Sequence, residues 1–300
     1  MDEYSDLKNL KSIEIEVFSF CNRRCWFCPN STINRHSHNI EMKEDLYLKI
    51  LGELKLADFK GEISYSRYNE PLAYKDIILK RIAQARSVLP DVFLTTNTNG
   101  DYLTKEYLSE LKIAGLNELH IQHYLRKDEI FDADVIYEKF NKTCQSLGLG
   151  YTTLKAAKTT IKINFEYEGM SIFGTARDFK KNGNTRGGSV KTLKPKRRNY
   201  PCLTPHLRLY IDYNGKVMPC CNLRSDIMEH VSFVIGDANE TSVEELFNND
   251  KMNRLRDKLN FPDIQQLYPC NECKFNNSED GYSGDLKALS STVGPCGILS

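Results

Sequence analysis

The stretch FSFCNRRCWFCPN, residues 18–30, places three cysteines, Cys21, Cys25 and Cys28, directly after the alternating run SIEIEVF at 12–18. Apolar and charged residues alternating with period two signal a strand, so the three thiols sit on the loop leaving its carboxyl end. Three is an awkward supply. It is one short of a closed tetrahedral zinc site, and more than a single nucleophile needs. Spacing alone permits three buried apolar cysteines, or zinc completed by another ligand such as His36 or His38. It also permits an iron–sulfur cubane, with three irons held by thiolate and the fourth open to a small molecule. Close clustering on a loop with Asn and Arg argues against plain burial.

Beyond this loop the same grammar repeats. Strand-like runs at 62–66, 91–96, 118–123 and 160–167 alternate with helical periodicity near 42–56, 74–88, 104–114 and 133–147. Such alternation predicts βαβ units and a parallel sheet or barrel, with the chemistry on the loops at the carboxyl ends of the strands. The regularity breaks at KKNGNTRGGSVKTLKPKRRNY, 180–200, whose Gly, Asn, Pro and clustered basic residues mark a linker or loop. After it, Asn214-Gly215 between RLYID and KVMP predicts a tight hairpin. TSVEELFNNDKMNRLRDKL then reads as one amphipathic helix, with Ser242 as N-cap and Glu245 in a capping box. The expected division is a βα module over 1–190 and a smaller hairpin-plus-helix module over 191–300.

Bulk properties narrow the function. Over 300 residues, 41 Lys+Arg balance 40 Asp+Glu, which disfavours a general nucleic-acid binder. No apolar run approaches the roughly 18–20 residues of a membrane span, and MDEYSDLKNLK lacks the layout of a signal peptide. A cytoplasmic, reducing location is expected, so the ten cysteines read as ligands or thiols rather than disulfides.

C-x₃-C-x₂-C with an aromatic, Phe27, just before the third cysteine resembles the signature of the radical S-adenosylmethionine (SAM) enzymes. The resemblance implies a partial (β/α)₆ TIM barrel of the α/β class, with a [4Fe–4S] cluster on Cys21, Cys25 and Cys28. It also implies SAM on the open iron, cleaved by one electron to a 5′-deoxyadenosyl radical that abstracts hydrogen from a C–H bond. In SYSRYNEPL (64–72), Glu70 matches the glutamate that binds the SAM amino group. Pro71 is retained, while Tyr68 and Asn69 replace the glycines usual there. Asn99 and Gly100 in TTNTNGDYL (95–103) are in register with a Thr-Asn-Gly segment of the family. Gln122 stands where a serine commonly meets the SAM ribose or carboxylate, with His123 beside it as a substrate contact or a satisfied polar residue. Arg186, in GNTRGG, resembles a basic residue near the SAM carboxylate.

A second cysteine set follows. Cys202 and Cys220, the latter closing the hairpin, join the pair Cys270 and Cys273. By spacing alone, structural zinc and a [4Fe–4S] cluster are both credible. Beside the first motif, the set resembles the twitch form of the SPASM module, which implies one auxiliary [4Fe–4S] cluster ligated by all four thiolates. Cys221 adjoins Cys220, and the hairpin register favours Cys220 as ligand. A closed cluster implies electron transfer or structure rather than substrate activation.

The resemblance is to twitch-containing dehydrogenases of the 2-deoxy-scyllo-inosamine type and to SAM-dependent sugar epimerases. Dehydrogenation of a small polar substrate (sugar, amino-sugar or cyclitol) is the leading expectation, with the auxiliary cluster taking the electron. Epimerisation would instead need a hydrogen donor: Cys144, Cys221 or Cys296. Peptide modification is a third reading. The first strand begins near residue 12, which leaves no room for an N-terminal leader-binding module. A zinc-stabilised binding module is the reading from another class, with KTLKPKRR (191–198) gripping phosphate. In the enzyme, the same run would suit a phosphorylated or nucleotide-linked sugar. The expected redox partner is a flavodoxin- or ferredoxin-type reductant.

Overall fold

A computed structural model describes residues 7–275. Ten strands form one open sheet in the order β10-β9-β8-β1-β2-β3-β4-β7-β6-β5. The N-terminal part alternates as expected. Strand β1 (Ser12–Ile15) leads through the cysteine loop to α1 (Glu44–Leu56), then β2 (Glu62–Ser64), α2 (Lys75–Val88) and β3 (Phe93–Thr98). Helix α3 (Lys105–Ala114), β4 (Glu118–Gln122) and α4 (Ala133–Leu147) follow. The helices start and stop where local chemistry dictates. Thr104 caps α3 by accepting from the Tyr107 N–H, and Asp132 caps α4 through the N–H groups of Asp134 and Val135. Gly148 ends α4 at φ +65°, a conformation that costs glycine nothing.

Past α4 the structure departs from the expectation. The run at 160–167 is not a parallel strand but the middle of an antiparallel meander. Strands β5 (Tyr151–Ala157), β6 (Thr160–Phe165) and β7 (Ser171–Arg177) pair in sequence, and β7 is the one that adds parallel to β4. Period-two alternation is common to parallel and antiparallel strands, and the β5–β6 turn, Lys158-Thr159, carries no Gly, Asn or Pro to announce it.

The short helices α5 (Phe179–Asn182) and α6 (Thr204–Leu207) bracket the irregular segment between the two parts. Strand β8 (Arg208–Ile211) then pairs parallel to β1, making six parallel strands in the order β8-β1-β2-β3-β4-β7. The hairpin to β9 (Lys216–Met218) forms as expected, with Gly215 at φ +84°. Strand β10 (Gly236–Asp237) finishes that edge. The expected single C-terminal helix is two, α7 (Val243–Asn248) and α8 (Asp250–Lys258). Ser242 caps the first as predicted, but Asn249 breaks the run and caps the second through the Met252 N–H. Apolar residues of both parts share one core: Ile13, Ile63, Leu94 and Leu119 of the parallel strands join Leu209, Val217 and Leu246 in a single buried cluster.

Candidate active site

The cysteine loop folds back on itself. The Cys28 N–H donates to the Cys25 carbonyl at 2.9 Å, and the Cys21 N–H donates to the Arg35 carbonyl at 3.1 Å. Pro29–Ser31 then form a 3₁₀ turn whose Ser31 N–H donates to the Cys28 carbonyl. Phe27 stacks flat on Phe179, centroids 3.7 Å apart, and Val190 and Leu193 seal the apolar plug behind the thiols. Cys21, Cys25 and Cys28 all line one cavity of about 270 Å³ at the carboxyl ends of the strands. Burial pushes the Cys21 thiol up to about 11, Cys25 up to about 12, and Cys28 upward likewise. Three such thiols stay neutral near pH 7 unless a positive centre takes up their charge, so metal binding here would release protons. Among the described residues, no three His, Cys, Asp or Glu side chains form a group fitted to a single ion. A cubane is a wider body than one ion, and three thiols from one short loop around a shared cavity are a donor set that suits it. Neither His36 nor His38 lines the cavity.

Phe27, Asn69, Glu70, Asn99, Gln122 and Arg186, the six residues expected around SAM, line this same cavity. The Glu70 carboxylate accepts from Thr98 Oγ1 at 2.6 Å, the Asn99 N–H at 2.8 Å and the Leu72 N–H at 3.2 Å. Burial pushes its pKa up and these donors pull it back, the net shift being upward. Where the family places glycines, side chains brace the turn instead. Asn69 Oδ1 accepts from the Arg67 N–H at 3.2 Å, and the Tyr68 hydroxyl donates to the Cys221 carbonyl at 2.7 Å. Asn99 Nδ2 donates to Asn22 Oδ1 at 2.8 Å, and Gln122 Nε2 to Asn97 Oδ1 at 3.1 Å. A second cavity of similar volume, about 270 Å³, shares Arg23, Asn99, Gln122 and Tyr124 with the first and adds His123 and Lys139. His123 bonds Thr143 Oγ1 at 2.9 Å, and burial draws its pKa down to about 4, leaving it neutral at pH 7.

The second set is gathered from three segments. Cys202 precedes α6, Cys220 follows β9, and Cys270 and Cys273 lie in and just after a 3₁₀ turn. Cys273 Sγ accepts from Asn184 Nδ2 at 3.2 Å and the Phe275 N–H at 3.4 Å, and Cys220 Sγ from the Asn222 N–H at 3.3 Å. Burial, then the proximity of Cys202 and Cys273, pushes the Cys270 thiol up. Four clustered thiols, two of them already facing N–H donors, fit a fully ligated cluster. In the basic run beside them Lys191, Lys194, Lys196 and Arg197 are exposed, and one residue turns inward. Arg198 is buried, donating to the carbonyls of Tyr200, Pro201 and Phe275, while its N–H holds the Asn271 carbonyl at 2.7 Å. It pins the Cys270–Cys273 turn and is not available to grip phosphate.

The three candidate hydrogen donors separate cleanly. Cys221 lines the first cavity. A hydrogen bond from Cys220, opposed by burial and assisted by Arg186, Arg208 and Arg67, draws its thiol below the usual cysteine range. Cys144 is packed in the core on α4 and lines neither cavity. Cys296 lies outside the described residues. Sequence reading missed Glu14, Arg67 and Arg177, which also face the first cavity. Glu14 projects from a strand in the middle of the sheet, and burial pushes its carboxyl up to about 8. The available signal was a charge inside an alternating strand with partners on both sides, which must be paired or functional.

Comparisons with known proteins agree with this geometry. Residues 15–123 match the radical SAM superfamily, and residues 202–274 match the SPASM iron–sulfur cluster-binding domain. The chain thus carries a radical SAM match and a SPASM-type match in separate stretches, and it is an enzyme whose cofactors are SAM and [4Fe–4S] clusters. It is 27% identical over 254 residues to the S-adenosyl-L-methionine-dependent 2-deoxy-scyllo-inosamine dehydrogenase of Niallia circulans, covering 84% of this chain and 88% of that one. A GTP 3′,8-cyclase of Nautilia profundicola is 32% identical over 145 residues, covering 47% of this chain and 43% of the relative. In fold it resembles BtrN in complex with AdoMet and 2-DOIA, with a TM-score of 0.65 at 23% identity, covering 90% of this chain and 95% of BtrN. No described helix is long and apolar enough to cross a membrane.

Proposed function

We propose that the enzyme oxidises a carbinol carbon of a small hydroxylated ring bearing an amine, an aminocyclitol such as 2-deoxy-scyllo-inosamine. The observation that carries this reading is the cavity wall, where the cysteines of the β1 loop face Cys221, the neighbour of the auxiliary set, across one small polar space. In this reading Cys21, Cys25 and Cys28 hold the SAM-cleaving cluster, and Cys202, Cys220, Cys270 and Cys273 hold the auxiliary one. The bound cofactors supply a 5′-deoxyadenosyl radical to remove hydrogen and a second centre to take the remaining electron.

The chain's own residues do the rest. Glu70, fixed by three donors, faces the SAM amino group with its remaining lone pairs. Asn99 and Gln122 line both cavities and orient the nucleoside part. Phe27, stacked on Phe179, keeps water away from the loop. Glu14 offers a carboxyl that ionises when an ammonium enters beside it, which suits an amine-bearing ring. A cavity of this size and polarity favours a ring-sized molecule over a peptide. A flavodoxin- or ferredoxin-type protein, in a cytoplasmic setting, would supply the priming electron.

A second reading has one observation in its favour: Cys221 lines the cavity and could hand its hydrogen atom to the substrate carbon radical. The product would then be an epimer, and the thiyl left on Cys221 would regain an electron and a proton from the same reductant. Anaerobic turnover of 2-deoxy-scyllo-inosamine in deuterated water separates the two readings. Oxidation yields the ketone with no solvent deuterium at the reacting carbon, whereas an epimer carrying one deuterium would replace the first reading by the second. Iron analysis should give about eight irons per chain, four for each cubane. A colourless zinc protein would sink both.

A further inference from the structure

A single amide links the second cysteine set to the reaction cavity. Asn222 donates its backbone N–H to Cys220 Sγ at 3.3 Å and its side-chain Nδ2 to Cys273 Sγ at 3.9 Å. Its remaining atom, Oδ1, accepts from Arg186 Nη1 at 3.1 Å. Arg186 is itself in the wall of the reaction cavity. Asn222 is buried, 3% exposed, so these contacts are not exchanged for water.

The backbone is bent to make this contact. Arg186 sits at φ +51°, followed by Gly187 at +63° and Gly188 at +81°. A left-handed arginine is strained, and such strain persists only where the surroundings hold it. Here they do. The Arg224 N–H donates to His230 Nδ1 at 3.2 Å, so His230 carries its hydrogen on Nε2, which donates to the Gly187 carbonyl at 2.8 Å.

We propose that Asn222 is a positioning residue that sets the potential of the auxiliary cluster and makes it sensitive to what binds at Arg186. This rests on the two-cluster reading above. The physical basis is that N–H donors to ligating sulfurs stabilise the reduced, more negative cluster, as does a nearby positive charge. Asn222 supplies the donors and also tethers the charge. A ligand that takes up part of the Arg186 charge therefore lowers the auxiliary potential. By linkage, reduction of that cluster changes the ligand's affinity by the same factor. Electron uptake by the second centre is in this way tied to occupancy of the cavity.

The test is a potentiometric titration of the anaerobic holoenzyme, following the two cluster signals separately by electron paramagnetic resonance. The SAM-cleaving cluster is identified by its change on adding SAM. Asn222→Asp keeps the arginine partner and replaces the side-chain donor with an acceptor. It should lower the auxiliary midpoint potential and leave the other cluster's unchanged, and Asn222→Ala should act in the same direction. In the unaltered enzyme, SAM, whose carboxylate is the group expected at Arg186, should lower the auxiliary potential, and Arg186→Gln should abolish that shift while both clusters remain. Should the Asn222 variants lose the cluster, the Arg186→Gln arm decides alone. An unchanged potential in iron-replete Asn222→Asp overturns the proposal, as does a ligand shift that survives Arg186→Gln or is absent from the unaltered enzyme. A holoenzyme with no second cluster signal overturns the two-cluster reading itself, a result visible before any variant is made.

Discussion

The two cysteine sets differ in how far the chain travels to assemble them. The first has all its cysteines within the loop 21–28, where the Cys28 N–H closes a turn on the Cys25 carbonyl and the Cys21 N–H is held by the Arg35 carbonyl. The second takes Cys202, Cys220, Cys270 and Cys273 from segments that meet only once β8, β9 and the last 3₁₀ turn have packed. A local site is ready when its loop is ready. A dispersed site spends metal affinity on chain closure, so its cluster acts as a cross-link whose removal is felt in stability. The expected division is between chemistry and architecture: losing the first cluster site should leave the fold intact, and losing the second should not.

The largest expected effect tests that division directly. Cys25→Ala and Cys270→Ala should both abolish product formation and bring iron from about eight to about four per chain. Only Cys270→Ala should also lower the unfolding midpoint and expose the 260–275 region to limited proteolysis. Equal destabilisation by both variants would erase the contrast.

The same contrast governs what the sequence made legible. The first site is visible because its donors are fixed by covalent spacing, and the others follow because Gln122 ends a strand, Asn99 opens the loop after one, and Glu70 lies in the loop after β2 beside a retained Pro71. The four long helices match their periodicity closely, as at 133–147, since caps such as Asp132 and Gly148 are local signals. Glu14 and Arg67 were not legible as cavity residues. Their meeting with Cys221 depends on β8 pairing beside β1, a register no local pattern encodes. The β5–β7 meander failed for a related reason, because alternation states that a strand exists but not which neighbour it takes. Arg198 was misread because a run of basic residues does not say which one turns inward.

A smaller effect is expected where the two regions are tied together by buried charge. Arg35, on the first cysteine loop's return, pairs with Glu16 and with Asp226, each at 2.8 Å, and Asp226 also binds Arg224, whose Nη1 reaches Asn30 at 2.9 Å. Burial pushes the Asp226 carboxyl up, but Arg224 and Arg35 outweigh it and hold the group well below the usual carboxylate range. Arg35→Ala leaves Glu16, fully buried, without its cation, and should cost about 3–5 kcal/mol. Denaturant unfolding of the holoenzyme would measure it. A cost under about 1 kcal/mol, the range of exposed pairs, would mean that the two regions are joined by the shared apolar core alone.

The smallest expected effect concerns the first region only, and its sign follows from burial. His123 has its pKa drawn down to about 4 by desolvation, against about 6.5 when unfolded, so between these values the unfolded chain binds more protons. Its contribution is therefore fully present above about pH 6.5 and is lost as pH falls toward 4, by at most about 3 kcal/mol. Edge-on packing against Phe140 and the bond to Thr143 favour the neutral ring. His123→Gln keeps a partner for Thr143 and removes the titration. Its unfolding free energy should fall less steeply than that of the unaltered enzyme between pH 6.5 and pH 4, with the two curves parallel above pH 7. Parallel curves across the whole range would place the acid sensitivity elsewhere, for which His206, also drawn down to about 4 by burial and lying on α6 in the second region, is the natural alternative.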